Sequence, residues 1–238
     1  MSAHTRADSG FARFSQGFTL IEVLVVVAII GILAALAGSA MYQWKRRVSG
    51  RSAAIELQSA LDRARQTAFD RGDVWVIVYP TLGREEGASA GAYFLFDDPN
   101  LEFGLGDTPA GRARYSTFDP TDRATISSTA GLGRLLAEVY LDDDTSRTTR
   151  FAELVQASKS MPPPFDTLVD SGCSFCSGDP ARGAIAFGSD GSARFLDGDG
   201  NQTAARSAAL GLFDKSLGRQ SVYYGIAAPT GFLMMQRQ

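Results

Sequence analysis

Apolar residues crowd the first part of the chain without a gap, then recur at helical spacing, then gather into short runs separated by turns. Between Phe18 and Met41 the only charged residue is Glu22, and Val23 to Met41 carries no charge at all. A run of that length predicts a helix that can cross a hydrocarbon core of about 30 Å, at about 1.5 Å of rise per residue. Beyond it Ala54, Leu57, Leu61, Ala64 and Ala68 return every three or four positions, with Arg51, Glu56, Asp62, Arg63, Arg65 and Asp70 among them. That is the pattern of an amphipathic helix. Arg71 and Gly72 predict its end, because a cation suits the carbonyl terminus of a helix and glycine adopts the left-handed cap. One unbroken helix from Phe18 to Arg71 is expected.

After Gly72 the pattern turns to strands. Val74 to Tyr79, VWVIVY, reads as a buried strand; Tyr93 to Phe96 and Leu135 to Leu141 are further strands. Ala184 to Phe187 and Ala193 to Leu196 predict a hairpin across Gly188, Ser189, Asp190 and Gly191, whose composition suits a turn. Val222 to Ala227 and Phe232 to Met235 supply two terminal strands around Pro229 and Gly231. Asp97 to Gly133 is too long for a simple connection and reads as an insertion. Neither a one-sided helix nor a one-sided sheet is stable alone, so the expected fold class is α+β: a long N-terminal transmembrane and amphipathic helix packed against a small antiparallel β-sheet head.

Glu22 changes the meaning of the apolar run. An ionised carboxylate at membrane depth is costly and calls for a partner or a place among the headgroups. Arg6 and Arg13 precede the span while Lys45, Arg46, Arg47 and Arg51 follow it, so charge counting leaves the orientation open. Ala35 and Ala37 also offer an A-x-A-like cleavage pattern, under which the whole segment is removed. Gly31 and Gly38 permit close packing of this helix against another.

Gly17, Phe18, Thr19, Leu20, Ile21 and Glu22 together resemble the processing and methylation signature of type IV prepilins and type II secretion pseudopilins. The resemblance implies cleavage after Gly17 by a prepilin peptidase, N-methylation of Phe18, and an assembly role for Glu22, the fifth mature residue. In that role the α-amino cation of Phe18 on one subunit neutralises Glu22 on another, offsetting two desolvation penalties. It also implies a cytoplasmic leader, a single pass through a bacterial inner membrane and a C-terminal domain in the periplasm.

RSAAIELQSALDRARQTAFDRGDVWVIV and GAIAFGSDGSARF narrow the resemblance to the GspH/FimT group of minor pseudopilins and minor pilins. The implied organisation is a leader at 1–17, a transmembrane half-helix at 18–41, an amphipathic half at 42–72 and a β-rich exported head at 73–238. The implied function is that of a minor pseudopilin, a structural subunit of a type II secretion-like filament that assists protein export across the outer membrane. The alternative is a minor type IV pilin at a pilus tip, serving assembly, adhesion or DNA uptake. Expected partners are other pilins or pseudopilins, the prepilin peptidase/methylase, an inner-membrane assembly platform and a secreted substrate. The region from Asp97 to Pro180, with its CSFC segment, departs from the group's pattern.

The remaining chemistry is sparse. A net charge of −3 does not favour nonspecific nucleic-acid binding, although a local basic patch stays compatible with it. Cys173 and Cys176 form a CxxC that fits a short disulfide, a reduced pair, or a redox or metal site; a metal would need further ligands, and the sole histidine, His4, lies in the expected leader. Asp197, Asp199 and Asn201 in DGDGN place oxygens like the opening of a calcium loop, but Gln202 and Ala208 stand where glycine and glutamate belong, which favours a polar turn. The sequence contains no GxxxxGKS/T, no G-x-S-x-G and no histidine beyond the leader, so neither an enzyme nor a cofactor is expected.

Overall fold

The computed structural model describes residues 19–84, 89–98, 109–119, 134–142, 149–153, 161–166, 169, 172–214 and 220–237. Gly17 and Phe18, the expected cleavage pair, lie outside them. The chain forms two compact units, Met1–Gln43 and Trp44–Gln238.

In the first unit α1 (Leu20–Arg71) begins, and its stretch Leu20–Gly38 is long and apolar enough to span a membrane. None of that stretch is buried within the chain. A helix apolar on every side has no stable place in water and belongs in lipid or inside an assembly.

The second unit holds the remainder of α1. Ala53, Leu57, Leu61, Ala64 and Ala68 are all buried in one core, and the alanines among them let the helix lie close to the sheets. The helix stops as expected: Gly72 has φ +104° and donates its N–H to the Ala68 carbonyl at 3.1 Å. Arg71 reaches Asp97 at 3.6 Å.

The strands are β1 (Asp73–Tyr79), β2 (Ala92–Asp98), β3 (Leu135–Tyr140), β4 (Thr149–Phe151), β5 (Gly183–Phe187), β6 (Ala193–Leu196), β7 (Ser207–Asp214), β8 (Gln220–Ala227) and β9 (Phe232–Arg237), with a helix α2 (Pro109–Thr117) between β2 and β3. They build the expected antiparallel head as two sheets, one ordered β3-β2-β1-β5-β6 and the other β4-β7-β8-β9. Two faces explain the unbroken apolar run of β1. Val74, Val76 and Val78 join the core around α1, while Trp75, Ile77 and Tyr79 face a second core closed by Tyr115 of α2 and by Phe118. Part of the expected insertion therefore has a packing role: Asp97 and Asp98 complete β2, and α2 lids the outer face of the sheet.

The strand β7 was not anticipated. Its sequence SAALGLFD is rich in small residues with a glycine inside, which lowers strand propensity. Pairing with β8 over eight residues, from Ser207↔Ala227 to Asp214↔Gln220, overrides that local weakness.

Candidate functional site

At the start of α1, Thr19 is the N-cap. The Glu22 N–H lies 3.3 Å from its hydroxyl and 3.1 Å from its carbonyl oxygen. T-x-x-E is the capping-box spacing, and here the threonine hydroxyl satisfies one of the donors that a helix leaves open at its beginning. The acid in the first turn also lies at the positive end of the helix dipole. Thr19 was legible as part of a signature, but its capping function follows from the spacing alone. Glu22 and the apolar side chains after it are exposed. Around Gly31 and Gly38 an added Cβ would meet nothing within 4 Å. Glycine inside a helix costs up to about 1 kcal/mol relative to alanine, and among the described residues no contact offsets that.

In the head, Cys173 and Cys176 are joined by a disulfide. The bonded segment extends the edge of β7 where β4 leaves off. Gly211 donates to the Gly172 carbonyl at 2.9 Å, Ser174 N–H donates to the Ala209 carbonyl at 2.9 Å, and Ala209 N–H donates to the Ser174 hydroxyl at 2.8 Å. On its other side Phe175 stacks on Phe195 of β6, with ring centroids 5.9 Å apart. CSFC thus ties one sheet to the other, and Cys173 is 2% exposed.

Arg182, which sequence reasoning missed, fastens α2. It donates to the carbonyls of Ser116 and Gly198 at 2.9 Å and of Phe118 at 3.0 Å, and its guanidinium lies 4.7 Å from the Tyr115 ring centre. The carbonyl end of a helix attracts a cation, and arginine offers several fixed donors at once. Nothing in the spacing of the sequence announces this contact, because Ser116 and Phe118 lie more than sixty residues upstream. Burial pushes the Tyr115 hydroxyl well above the usual phenol range, against the influence of Arg182.

A cleft of about 410 Å³ opens beside this contact, lined among others by Tyr79, Asp119, Asp179, Arg182 and Asp199. Its guanidinium is committed to backbone carbonyls. The weak calcium candidates behave as a turn: Asp197 Oδ1 accepts the N–H groups of Asp199 at 3.0 Å and Asn201 at 2.8 Å, and Asp197 Oδ2 accepts from the Asn201 amide at 3.3 Å. An aspartate that bonds its own loop in this way is the usual device of an Asx turn. Among the described residues no group of three or more His, Cys, Asp or Glu is placed to hold a metal ion.

Residues 13–38 match the family model described as the prokaryotic N-terminal methylation motif. No curated protein and no solved structure matches the chain. The motif, the long apolar helix and the antiparallel head packed on its amphipathic part define a type IV pilin-like fold. The chain is a structural subunit of a general type IV pilin- or pseudopilin-like kind, and among the described residues one apolar helix is suited to anchoring it in a membrane. Its methylation motif implies processing by a prepilin peptidase/methylase.

Proposed function

We propose that the protein is a minor pseudopilin of a type II secretion-like filament, cut after Gly17 and methylated on Phe18. It would be held by α1 in a bacterial inner membrane with its head in the periplasm, and drawn from there into an envelope-spanning filament by an inner-membrane assembly platform. The observation that carries the reading is the contrast within α1. Its second part buries its apolar face in the head, whereas Leu20–Gly38 buries nothing within the chain. That surface can be satisfied first by lipid and then by the helices of neighbouring subunits, and Glu22 lies at its start. In the proposed mechanism Glu22 meets the α-amino group of Phe18 on an adjacent subunit as the helix enters the filament.

The engagement of Arg182 and Arg71 within the head favours a subunit contact over nucleic-acid capture at a pilus tip, since neither cation is held ready for phosphates. Intact-mass analysis of the protein from its native envelope, with amino-terminal fragmentation, is expected to give a methylated start at Phe18. An uncleaved Met1, or a start near Gly38, would overturn the processing. Deletion of the gene separates the two filaments: lost export of secreted proteins with surface pili retained supports the pseudopilus, and the reverse supports the pilus tip.

A further inference from the structure

The cleft beside α2 ends on a hydroxyl that the fold leaves unused. Tyr79, the last residue of β1, is 2% exposed and belongs to the lining of the cleft. Its hydroxyl is buried without a hydrogen-bond partner. The charged groups that act on it, Arg182 and Asp119, line the same cleft, so the hydroxyl end of the ring is the end turned to it. Arg182 can only donate, so at most the phenol oxygen is served and the phenol proton is left without an acceptor. Native structures rarely leave such a group unsatisfied without a reason.

The walls around it are fixed. Arg182 holds the carbonyls of Ser116 and Phe118 on one side and of Gly198 on the other. Ser177 and Arg182 exchange backbone hydrogen bonds at 2.9 and 3.0 Å, and Gly198 N–H donates to the Ser177 hydroxyl at 2.9 Å. A Cβ on Gly198 would lie 2.1 Å from the Ser177 carbonyl oxygen, so glycine is what lets these two segments meet. The cleft is therefore formed before any ligand arrives, and about 410 Å³ falls within the range of about 300–1,000 Å³ that small-molecule sites occupy.

The chemistry of the lining selects the occupant. Asp119, Asp179 and Asp199 are exposed at the mouth, and three carboxylates turn an anion away. A cation is kept from the depth by the guanidinium of Arg182, and among the described residues no group of acids is placed to hold a metal. What remains is an uncharged molecule with an acceptor for the floor and several donors for the mouth. A sugar hydroxyl is a donor and an acceptor at once, and neighbouring hydroxyls on one ring donate together to a single carboxylate.

We propose that this cleft binds a neutral saccharide, with the Tyr79 hydroxyl donating to a sugar oxygen and the carboxylates of Asp179 and Asp199 accepting from sugar hydroxyls. Burial holds the Tyr79 hydroxyl above the usual phenol range against the pull of Arg182, so it keeps the proton it donates. The site lies wholly in the head and does not depend on which filament the subunit joins.

Isothermal titration calorimetry of the full chain, in a detergent without a sugar headgroup, tests the site with cellotriose, maltotriose and chitotriose as separate probes. Saturable binding of at least one is expected, with a Kd of about 1 mM or tighter. Tyr79→Phe keeps the edge-to-face contact with Phe94, whose ring centre is 5.8 Å away, and removes only the hydroxyl. It is expected to leave the Tm no lower and to weaken binding about tenfold, because the donor at the floor is gone. Asp179 is exposed, so Asp179→Ala spares the core and should also weaken binding, which gives a reading that does not rest on a buried substitution. No saturable heat with any of the three sugars, a response to trialanine alone, or an unchanged Kd in both variants would overturn the proposal.

Discussion

A single carboxylate and a single guanidinium illustrate how much one side chain can mean here. Glu22 is exposed on its own helix, so removing it leaves no void and no unpaired group in the head. Glu22→Ala is therefore expected to leave the thermal unfolding of the head unchanged while cross-linking shows reduced incorporation into filaments. Normal incorporation would remove Glu22 from the mechanism. Arg182 is the reverse case. It binds three backbone carbonyls and covers the Tyr115 ring, and its loss frees the end of α2. Arg182→Met, which keeps the apolar stem, should lower stability by about 2 kcal/mol in urea unfolding, since hydrogen bonds to charged groups contribute about 1.5–3 kcal/mol each when well sheltered and these are only partly so. Glu22 was legible in the sequence because a lone acid in an apolar run stands out. Arg182 was not, because its partners are distant in the chain and its own neighbours form no pattern.

Among the elements, α1, β1 and the β5–β6 hairpin carried the plainest local signals: uninterrupted apolar length, three- and four-residue spacing, and a glycine-rich turn between two apolar runs. In that turn Gly191 has φ +79°, and a Cβ there would lie 2.6 Å from the Phe69 ring, so glycine answers both the backbone and the close approach. The elements that escaped detection, α2, β4 and β7, are short or rich in small residues and owe their shape to what they pack against. Phe118 and Tyr115 close the outer face of the first sheet, and CSFC completes the edge of β7. Because the disulfide joins cysteines only three residues apart, it removes little freedom from the unfolded chain. Replacing Cys173 and Cys176 together by serine should cost about 2 kcal/mol from loop entropy. The loss is expected to appear as a lower urea midpoint, with the sheets still formed by far-ultraviolet circular dichroism.

At the scale of the whole molecule the division into two units separates two kinds of stability. The head has its own cores, built from the later part of α1 and both sheets. A fragment beginning at Trp44 is expected to fold cooperatively and to run as a soluble monomer in size-exclusion chromatography; an aggregated or unfolded fragment would show that the head depends on the preceding span. The sequence by itself determined the apolar helix, the acid, the methylation motif, the helix cap at Gly72 and the α+β class, since each rests on local periodicity or on a motif of adjacent residues. Tertiary structure alone decided that the strands form two sheets, that part of the expected insertion covers one of them, that Asp197 is spent on its own turn, and that Asp73 and Asp98 stand opposite each other on β1 and β2. Those outcomes depend on contacts between residues far apart in the chain, whose free energy comes from burial and pairing rather than from any preference the residues carry alone.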